Sequence, residues 1–291
     1  MSSSQTKSRT ILITGCSSGF GLLTAARLAA AGHRVYATMR NPDKQAPLIS
    51  EVNRRGGEVT VLRLDVTDHS TISAALQTIA QEAGNLDVLV NNAGYGIGGA
   101  FEDLSEEDIR EQFETNFFGV QNVTRAAIPL MRQQTGAKII NMSSVQGFYA
   151  TPGFGAYSAT KWALEAFSES LRYELSIFGI DVLLIRPGTF RTKIFDENVR
   201  YAKNFFNTSS PYYELSQHVK KLVEDHVAHS KNDPEDVAKH VEMLINAKNP
   251  PFRSIPDRGG RFMYRLRRFL PFRVFYGMVH GQVFKGYQSE S

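Results

Sequence analysis

The chain has 291 residues, 42% hydrophobic and 21% charged, the proportions of an ordinary globular protein with enough apolar material for a full core. Its single cysteine, Cys16, excludes an intramolecular disulfide framework, and no apolar run approaches the roughly 18 residues that a membrane-spanning helix needs. The formal charge of +4 is small for this length, and without a zinc-finger spacing, a basic zipper or an RNA-recognition signature no nucleic-acid partner is expected. The first residues, Met1 to Lys7, lack an apolar signal core, so a reducing, cytoplasmic setting is the expectation.

Taken in chain order, Thr10 to Thr14 is a β-branched run that ends in a glycine cluster and is followed from Gly21 by apolar residues at helical spacing: strand, loop, helix. The unit recurs, with strands at Arg34 to Thr38, Val59 to Leu64 and Leu86 to Val90 and a helix at His69 to Glu82. A long helix from about Ser105 to Arg132, a strand at Lys138 to Met142, a helix from about Gly155 to Phe178 and a strand at Asp181 to Ile185 follow. Strands such as LDVLV and VLLI are apolar throughout, as burial on both faces of a parallel sheet requires. The alternation predicts an α/β fold, a Rossmann-type doubly wound parallel sheet of about seven strands with helices on both faces, in a single domain over 1–291. Within it, 8–188 reads as the cofactor-binding and catalytic core, 189–232 as a substrate-binding loop and 252–291 as a C-terminal extension.

From Thr189 to Ser230 aromatics (Phe190, Phe195, Tyr201, Phe205, Phe206) mix with polar residues and no strand alternation is visible. Asp233-Pro234-Glu235-Asp236 opens a helix running to about Ala247: an N-cap, a proline at the first helical position and first-turn acids. Beyond it, 261–276 interleaves arginine with aromatic residues and is broken by Pro271. Three readings stay open for it: a flap over the crevice or a subunit contact, a peripheral membrane contact, and a plain surface.

The run Thr14-Gly15-Cys16-Ser17-Ser18-Gly19-Phe20-Gly21 stands where the first strand hands over to its helix. Glycines there let the backbone approach a pyrophosphate, which the exposed N–H groups of the helix start favour. The second strand ends Thr38-Met39-Arg40 with no carboxylate to grip a ribose 2′-hydroxyl, so Arg40 favours NADP(H), with NAD(H) the alternative. Tyr157 and Lys161 are four apart at helical spacing and share a face. A nearby ammonium favours the phenolate, and the protonated group can donate to a carbonyl oxygen. Ser144, just past the strand 138–142, lies at a carboxyl strand end, where open α/β sheets place ligands. Asn91, Asn92, Ala93 and Gly94 close the fourth strand at the same edge, and Asn116 is an amide inside a helix, unfavourable unless used.

Together TGCSSGFG, NNAG, Asn116, Ser144, YSATK and the Pro187-Gly188 turn resemble the classical short-chain dehydrogenase/reductase family, and TGCSSGFG with VYATMR is similar to its 17β-hydroxysteroid and retinol dehydrogenase-like members. The resemblance implies a catalytic set of Tyr157 as acid/base, Lys161 to lower its pKa and hold the nicotinamide ribose, Ser144 to orient the substrate oxygen and Asn116 to hold a water. It implies a pyrophosphate site along Gly15, Gly19 and Gly21, with Ser18 and Phe20 in the same loop. Ser17 and Arg40 would hold a 2′-phosphate, Asp65 and Val66 would meet the adenine, and Asn91, with Ala93 and Gly94 beside it, would face the adenosine side. Pro187, Gly188, Phe190 and Thr192 would flank the nicotinamide. No metal is expected: His226 and His229, three apart beside Glu224 and Asp225, read as a solvated face. Nor is a hydrolase, since no G-x-S-x-G elbow is present.

The expected function is interconversion of a ketone or aldehyde and an alcohol on a small, bulky hydrophobic molecule such as a steroid, a retinoid or a polyketide, by a homodimer or homotetramer. The competing readings are an NAD-dependent alcohol dehydrogenase on the same scaffold and a cofactor-sensing protein without turnover.

Overall fold

The computed structural model describes residues 8–190 and 199–287. Alternation of apolar strands with amphipathic helices produces the elements β1 (Thr10–Ile13), α1 (Gly19–Ala30), β2 (Arg34–Met39), α2 (Ala46–Arg55), β3 (Val59–Arg63), α3 (His69–Ala83) and β4 (Val88–Asn91). They continue with β5 (Gly96–Gly98), α4 (Glu106–Phe113), α5 (Gly119–Met131), β6 (Lys138–Met142), α6 (Gly155–Ser176) and β7 (Asp181–Ile185). The last third holds β8 (Val199–Tyr201), α7 (Tyr213–Ala228), α8 (Glu235–Asn246), β9 (Arg253–Ser254), α9 (Arg258–Phe269) and α10 (Phe272–Val283).

Seven strands form one sheet in the order β3-β2-β1-β4-β6-β7-β9, all pairs parallel. The predicted doubly wound sheet is present. Helices α1, α2 and α8 pack one face through Leu28, Leu48, Val52, Val237 and Val241, while α3, α5 and α6 cover the other through Ile72, Ile79, Val123, Leu171 and Leu175. Strand order reverses between β1 and β4, so the loops leaving these two strands open the crevice in which such sheets bind ligands.

Four features differ from the sequence expectation. Helix α2 is amphipathic with only Leu48 and Val52 buried, a stripe too narrow to stand out in a polar stretch. The long helix predicted from Ser105 to Arg132 is interrupted by one wide turn, Glu114–Phe118, where the Gly119 amide reaches back to the Glu114 carbonyl. A Cβ on Gly119 would lie 2.5 Å from Val66 Cγ2, so the close approach to Val66 needs this glycine. The stretch 189–230 is not without order: β8 pairs β5 in a small parallel sheet, and α7 follows. The seventh strand, β9, is only two residues long and falls inside 252–291, so that segment begins as an edge of the main sheet.

Lys138, at the start of β6, is 4% exposed and donates to the carbonyls of Leu244, Ile245 and Ala247, closing the C-terminal end of α8. Burial pushes its pKa down to about 8.

Candidate active site

The loop after β1 is folded by its backbone. Gly15 has φ +73, and a Cβ there would lie 2.8 Å from Ala93 Cα; a Cβ on Gly21 would run into the Gly15 carbonyl and the Asn92 amide. Both glycines are required by close approach. Gly19, at φ +59, meets nothing within 4 Å and opens α1, whose first-turn N–H groups face the crevice end of the sheet. Ser17, Ser18 and Phe20 are half-buried along the same loop. Cys16 is sealed beneath it, its amide bonded to the Thr38 carbonyl at 2.8 Å, and burial drives its thiol pKa up to about 12. It is an inert packing residue.

The NNAG segment locks onto this loop. Thr14 Oγ1 accepts from the amides of Asn92 and Ala93, and Asn92 Nδ2 donates to the carbonyls of Thr14 and Gly15 at 2.9 and 3.0 Å. Asn92 therefore holds the glycine loop in shape, a role the sequence reading did not assign to it. Asn91, expected to face the adenosine side, turns its amide into the core instead, donating to Thr124 Oγ1 and Asn141 Oδ1.

Arg40 is exposed at the end of β2. Burial raises the pKa of the Tyr95 phenol, and Arg200 acts against it. Asp65 is half-buried and accepts from the Thr67 amide and hydroxyl, and Val66 is buried against Gly119. Phe190 is 2% exposed and meets Phe20 edge to face at 5.4 Å, a contact that joins the glycine loop to the turn after β7. Thr192 lies outside the described residues.

The catalytic candidates converge at the carboxyl ends of β4 and β6. Ser144 lies near enough to the Tyr157 phenol to favour its ionised form, and its Oγ accepts from the Gln146 amide at 3.1 Å. Lys161, one turn along α6 from Tyr157, places Nζ 5.5 Å from the Tyr157 ring centre and donates to the Met142 carbonyl at 2.9 Å. Asn116 sits in the wide turn between α4 and α5, where it accepts from the Tyr95 amide and donates to the Tyr95 carbonyl. A Cβ on Gly94 would stand 3.1 Å from Asn116 Oδ1 and 3.9 Å from Lys161 Nζ, so this glycine brings the two together.

Burial pushes the Tyr157 phenol above the ordinary tyrosine value, and Ser144 pulls the other way. The expected lowering by Lys161 is not among the causes: its ammonium is committed to a carbonyl and stands off the ring. Burial drives Lys161 down to about 8, with Glu165 opposing. The arrangement is a neutral phenol set to donate, beside a cation destabilised by burial.

Behind this trio lies an ion cluster that sequence reasoning missed. Glu165, one further turn along α6 and 5% exposed, accepts from both Arg186 Nε and Nη2, from Arg253 Nε and from Ser143 Oγ. It ties α6 to β6, β7 and β9. The available signal was the i, i+4 step from Lys161 to Glu165 on one helix face. Asp257 braces the Pro187-Gly188 turn: Oδ1 accepts from the Gly188 amide at 2.9 Å and Oδ2 from the Gly260 amide at 2.5 Å, so one carboxylate holds both the turn and the start of α9. Beside the trio, an apolar cavity of about 270 Å³ is lined by Gly98, Phe154, Val199, Tyr201, Val219 and Val223. None of Ser144, Tyr157 or Lys161 lines it; Gly98 in β5 and Phe154 before α6 are the link. His226 and His229 are exposed, and among the described residues no cluster of His, Cys, Asp and Glu could hold a metal ion.

A glycine loop at a strand-order reversal and a serine–tyrosine–lysine set at the neighbouring strand ends define an oxidoreductase of the Rossmann type. The short chain dehydrogenase family model matches residues 9–202, and the chain belongs to that family. It is 39% identical to a 3-ketodihydrosphingosine reductase of Bacteroides thetaiotaomicron over 84% of this chain and 86% of that protein. It is 34% identical to retinol dehydrogenase 8 of Bos taurus over 84% of this chain and 80% of that one. A solved short chain dehydrogenase/reductase from Burkholderia phymatum in complex with NAD is 28% identical and superposes with a TM-score of 0.78 over 90% of this chain and 93% of that chain.

Proposed function

We propose that the protein is an NADP(H)-dependent oxidoreductase that interconverts a ketone or aldehyde and an alcohol on a bulky hydrophobic substrate. The observation that carries this reading is the convergence of Ser144, Tyr157 and, one helical turn on, Lys161 at the crevice end of the sheet, next to an apolar cavity. Gly15 and Gly21 let the loop fold tightly on itself and Gly19 leaves open space at the start of α1, where these residues would hold a pyrophosphate, and Ser17 and Arg40 would hold a 2′-phosphate. Bound there, the nicotinamide supplies the hydride. The chain's own residues handle the proton. Ser144 Oγ donates to the carbonyl oxygen, Tyr157 gives that oxygen its phenolic proton as the carbonyl carbon is reduced, and Lys161, its ammonium held beside them on the Met142 carbonyl, would hold the nicotinamide ribose. In oxidation the Tyr157 phenolate takes the hydroxyl proton back. The bidentate bond of Asn116 to the Tyr95 backbone keeps the wall beside Lys161 in place.

The cavity favours an alkyl or polycyclic ketone over a sugar or a hydroxy acid. The names of the reductase and the retinol dehydrogenase among its relatives support such a substrate and make 3-ketodihydrosphingosine and retinal the first compounds to test. The NAD-bound relative keeps an NAD(H) reading alive. Assembly as a dimer or tetramer is supported by the outward stripe of α6, where Trp162 and Tyr173 are exposed, with Ile177 exposed just past its end.

The test is a titration with NADPH and NADH followed through Trp162, the only tryptophan and the neighbour of Lys161. NADPH is expected to bind roughly tenfold or more tightly than NADH, with the difference lost in Arg40→Ala. Equal affinity, or a preference untouched by Arg40→Ala, sinks the NADP(H) assignment.

A further inference from the structure

The hairpin α9–α10 lies beyond residue 202, where the family match ends. Residues 258–287 contain six arginines and Lys285 but no Asp or Glu. These seven cations exceed the net charge of the whole chain, +4, so the remainder is net acidic. On α9 the exposed positions Arg258, Arg261, Phe262, Arg265 and Phe269 form one stripe at i, i+3, i+4, i+7 and i+11. The turn at Pro271 carries Phe269 at 75% and Phe272 at 64% exposure, and along α10 Val274, Tyr276 and Met278 also face out. Only Phe275 of α10 is buried, against Tyr149. Phe275 is buried and Tyr264 half-buried against Phe148, which holds the hairpin, while Phe262, Phe269, Phe272 and Tyr276 are left exposed.

Arginine and aromatic side chains meet in a groove of about 360 Å³ between β9 and α9. Arg186 and Arg253 on its inner wall are neutralised by Glu165 and Glu169. Arg265 and Arg268 on its outer wall have no carboxylate partner among the described residues, and Phe269 closes the rim. Two unneutralised guanidiniums over two neutralised ones invite an anion, and the flanking phenylalanines invite hydrocarbon.

We infer that this hairpin docks the protein on the surface of an anionic phospholipid bilayer, with Phe269 and Phe272 among the acyl chains and Arg265 and Arg268 against the lipid phosphates. A second copy of the chain does not fit, because a symmetric contact would set arginine stripe against arginine stripe. A nucleic acid would satisfy the charges but leave the phenylalanines at the turn unused. The docked face adjoins the reaction site: Tyr149, under Phe275, lies five residues past Ser144, and His218 of α7 bonds the Val283 carbonyl at the end of α10. A hydrophobic substrate could therefore pass from the bilayer to the cavity along α7. The docking itself does not depend on what reaction the crevice performs.

The test is sedimentation of the full-length protein with vesicles of phosphatidylcholine alone and of phosphatidylcholine with about a third phosphatidylglycerol. Binding is expected to the anionic vesicles only and to weaken with salt. It should fall about tenfold or more in Arg265→Glu/Arg268→Glu and comparably in Phe269→Ser/Phe272→Ser, with circular dichroism unchanged in both. Absence of binding to either vesicle overturns the inference. So does binding that ignores the phenylalanine changes, competition by inorganic phosphate that abolishes it outright, or a duplex oligonucleotide held as tightly by the phenylalanine variant as by the wild type.

Discussion

The crevice and the C-terminal hairpin are built in opposite ways. Around the crevice almost every polar group is spoken for: Asn92 spans two carbonyls, Asn116 returns to one residue's amide and carbonyl, and Glu165 takes donors from three side chains. On the hairpin, aromatic rings and guanidiniums face outward and Phe275 is the one large side chain of α10 that is buried. Where geometry must be held to a fraction of an ångström the chain uses backbone, glycine and buried ion pairs; where it meets something outside itself it leaves apolar and cationic surface uncovered. The two regions meet at Asp257, whose carboxylate holds the Gly188 amide with one oxygen and starts α9 with the other.

Substitutions can sharpen that contrast. The largest effect is expected from Tyr157→Phe, which removes the proton donor and should lower reductive turnover by about a thousandfold or more while cofactor affinity stays within a few fold. Next, Arg186→Met leaves Glu165 buried with less compensation and should cost about 3–5 kcal/mol of stability in denaturant unfolding. A loss below about 1 kcal/mol would mean that the cluster is not a structural anchor. Asp257→Ala frees the Gly188 amide and uncaps α9, for about 1–2 kcal/mol. If the turn and the hairpin are coupled through it, turnover should drop as well, and a variant with unchanged kcat would separate the two regions.

The smallest effect expected is one of pH. Lys161 and Lys138 both fall to about 8 in the fold against an ordinary 10.5. Between these values the unfolded chain binds more protons than the native one, so stability should rise as pH increases from about 8 toward 10.5. Reductive kcat/KM should instead decline through about 8, as Lys161 loses its charge. Lys138→Met separates the signals: it should flatten part of the stability rise and leave the rate profile in place.

Six of the sheet's seven strands were legible because burial in a parallel sheet writes apolar runs, and the crevice because glycines and the Tyr157–Lys161 spacing sit at strand ends. What stayed hidden was set by partners distant in sequence. β9 is a two-residue strand made by its neighbour β7, and β8 exists only through β5. Asn91 and Asn92 are adjacent and identical, and alternation along the strand end sends one amide into the core and the other onto the glycine loop, a choice that depends on Thr124 and Asn141. The wide turn at Glu114–Phe118 has no local signature beyond the Asn116 it carries.

The central claim, that the crevice moves a hydride to a hydrophobic carbonyl, is tested most directly by supplying NADPH deuterated at the transferable position together with 3-ketodihydrosphingosine, retinal and a panel of polycyclic ketones. One deuterium in the product alcohol with the wild type, and none with Tyr157→Phe, is the expected result. Tight NADPH binding with no deuterium in any alcohol across the panel would contradict it and favour a protein that senses the cofactor without using it.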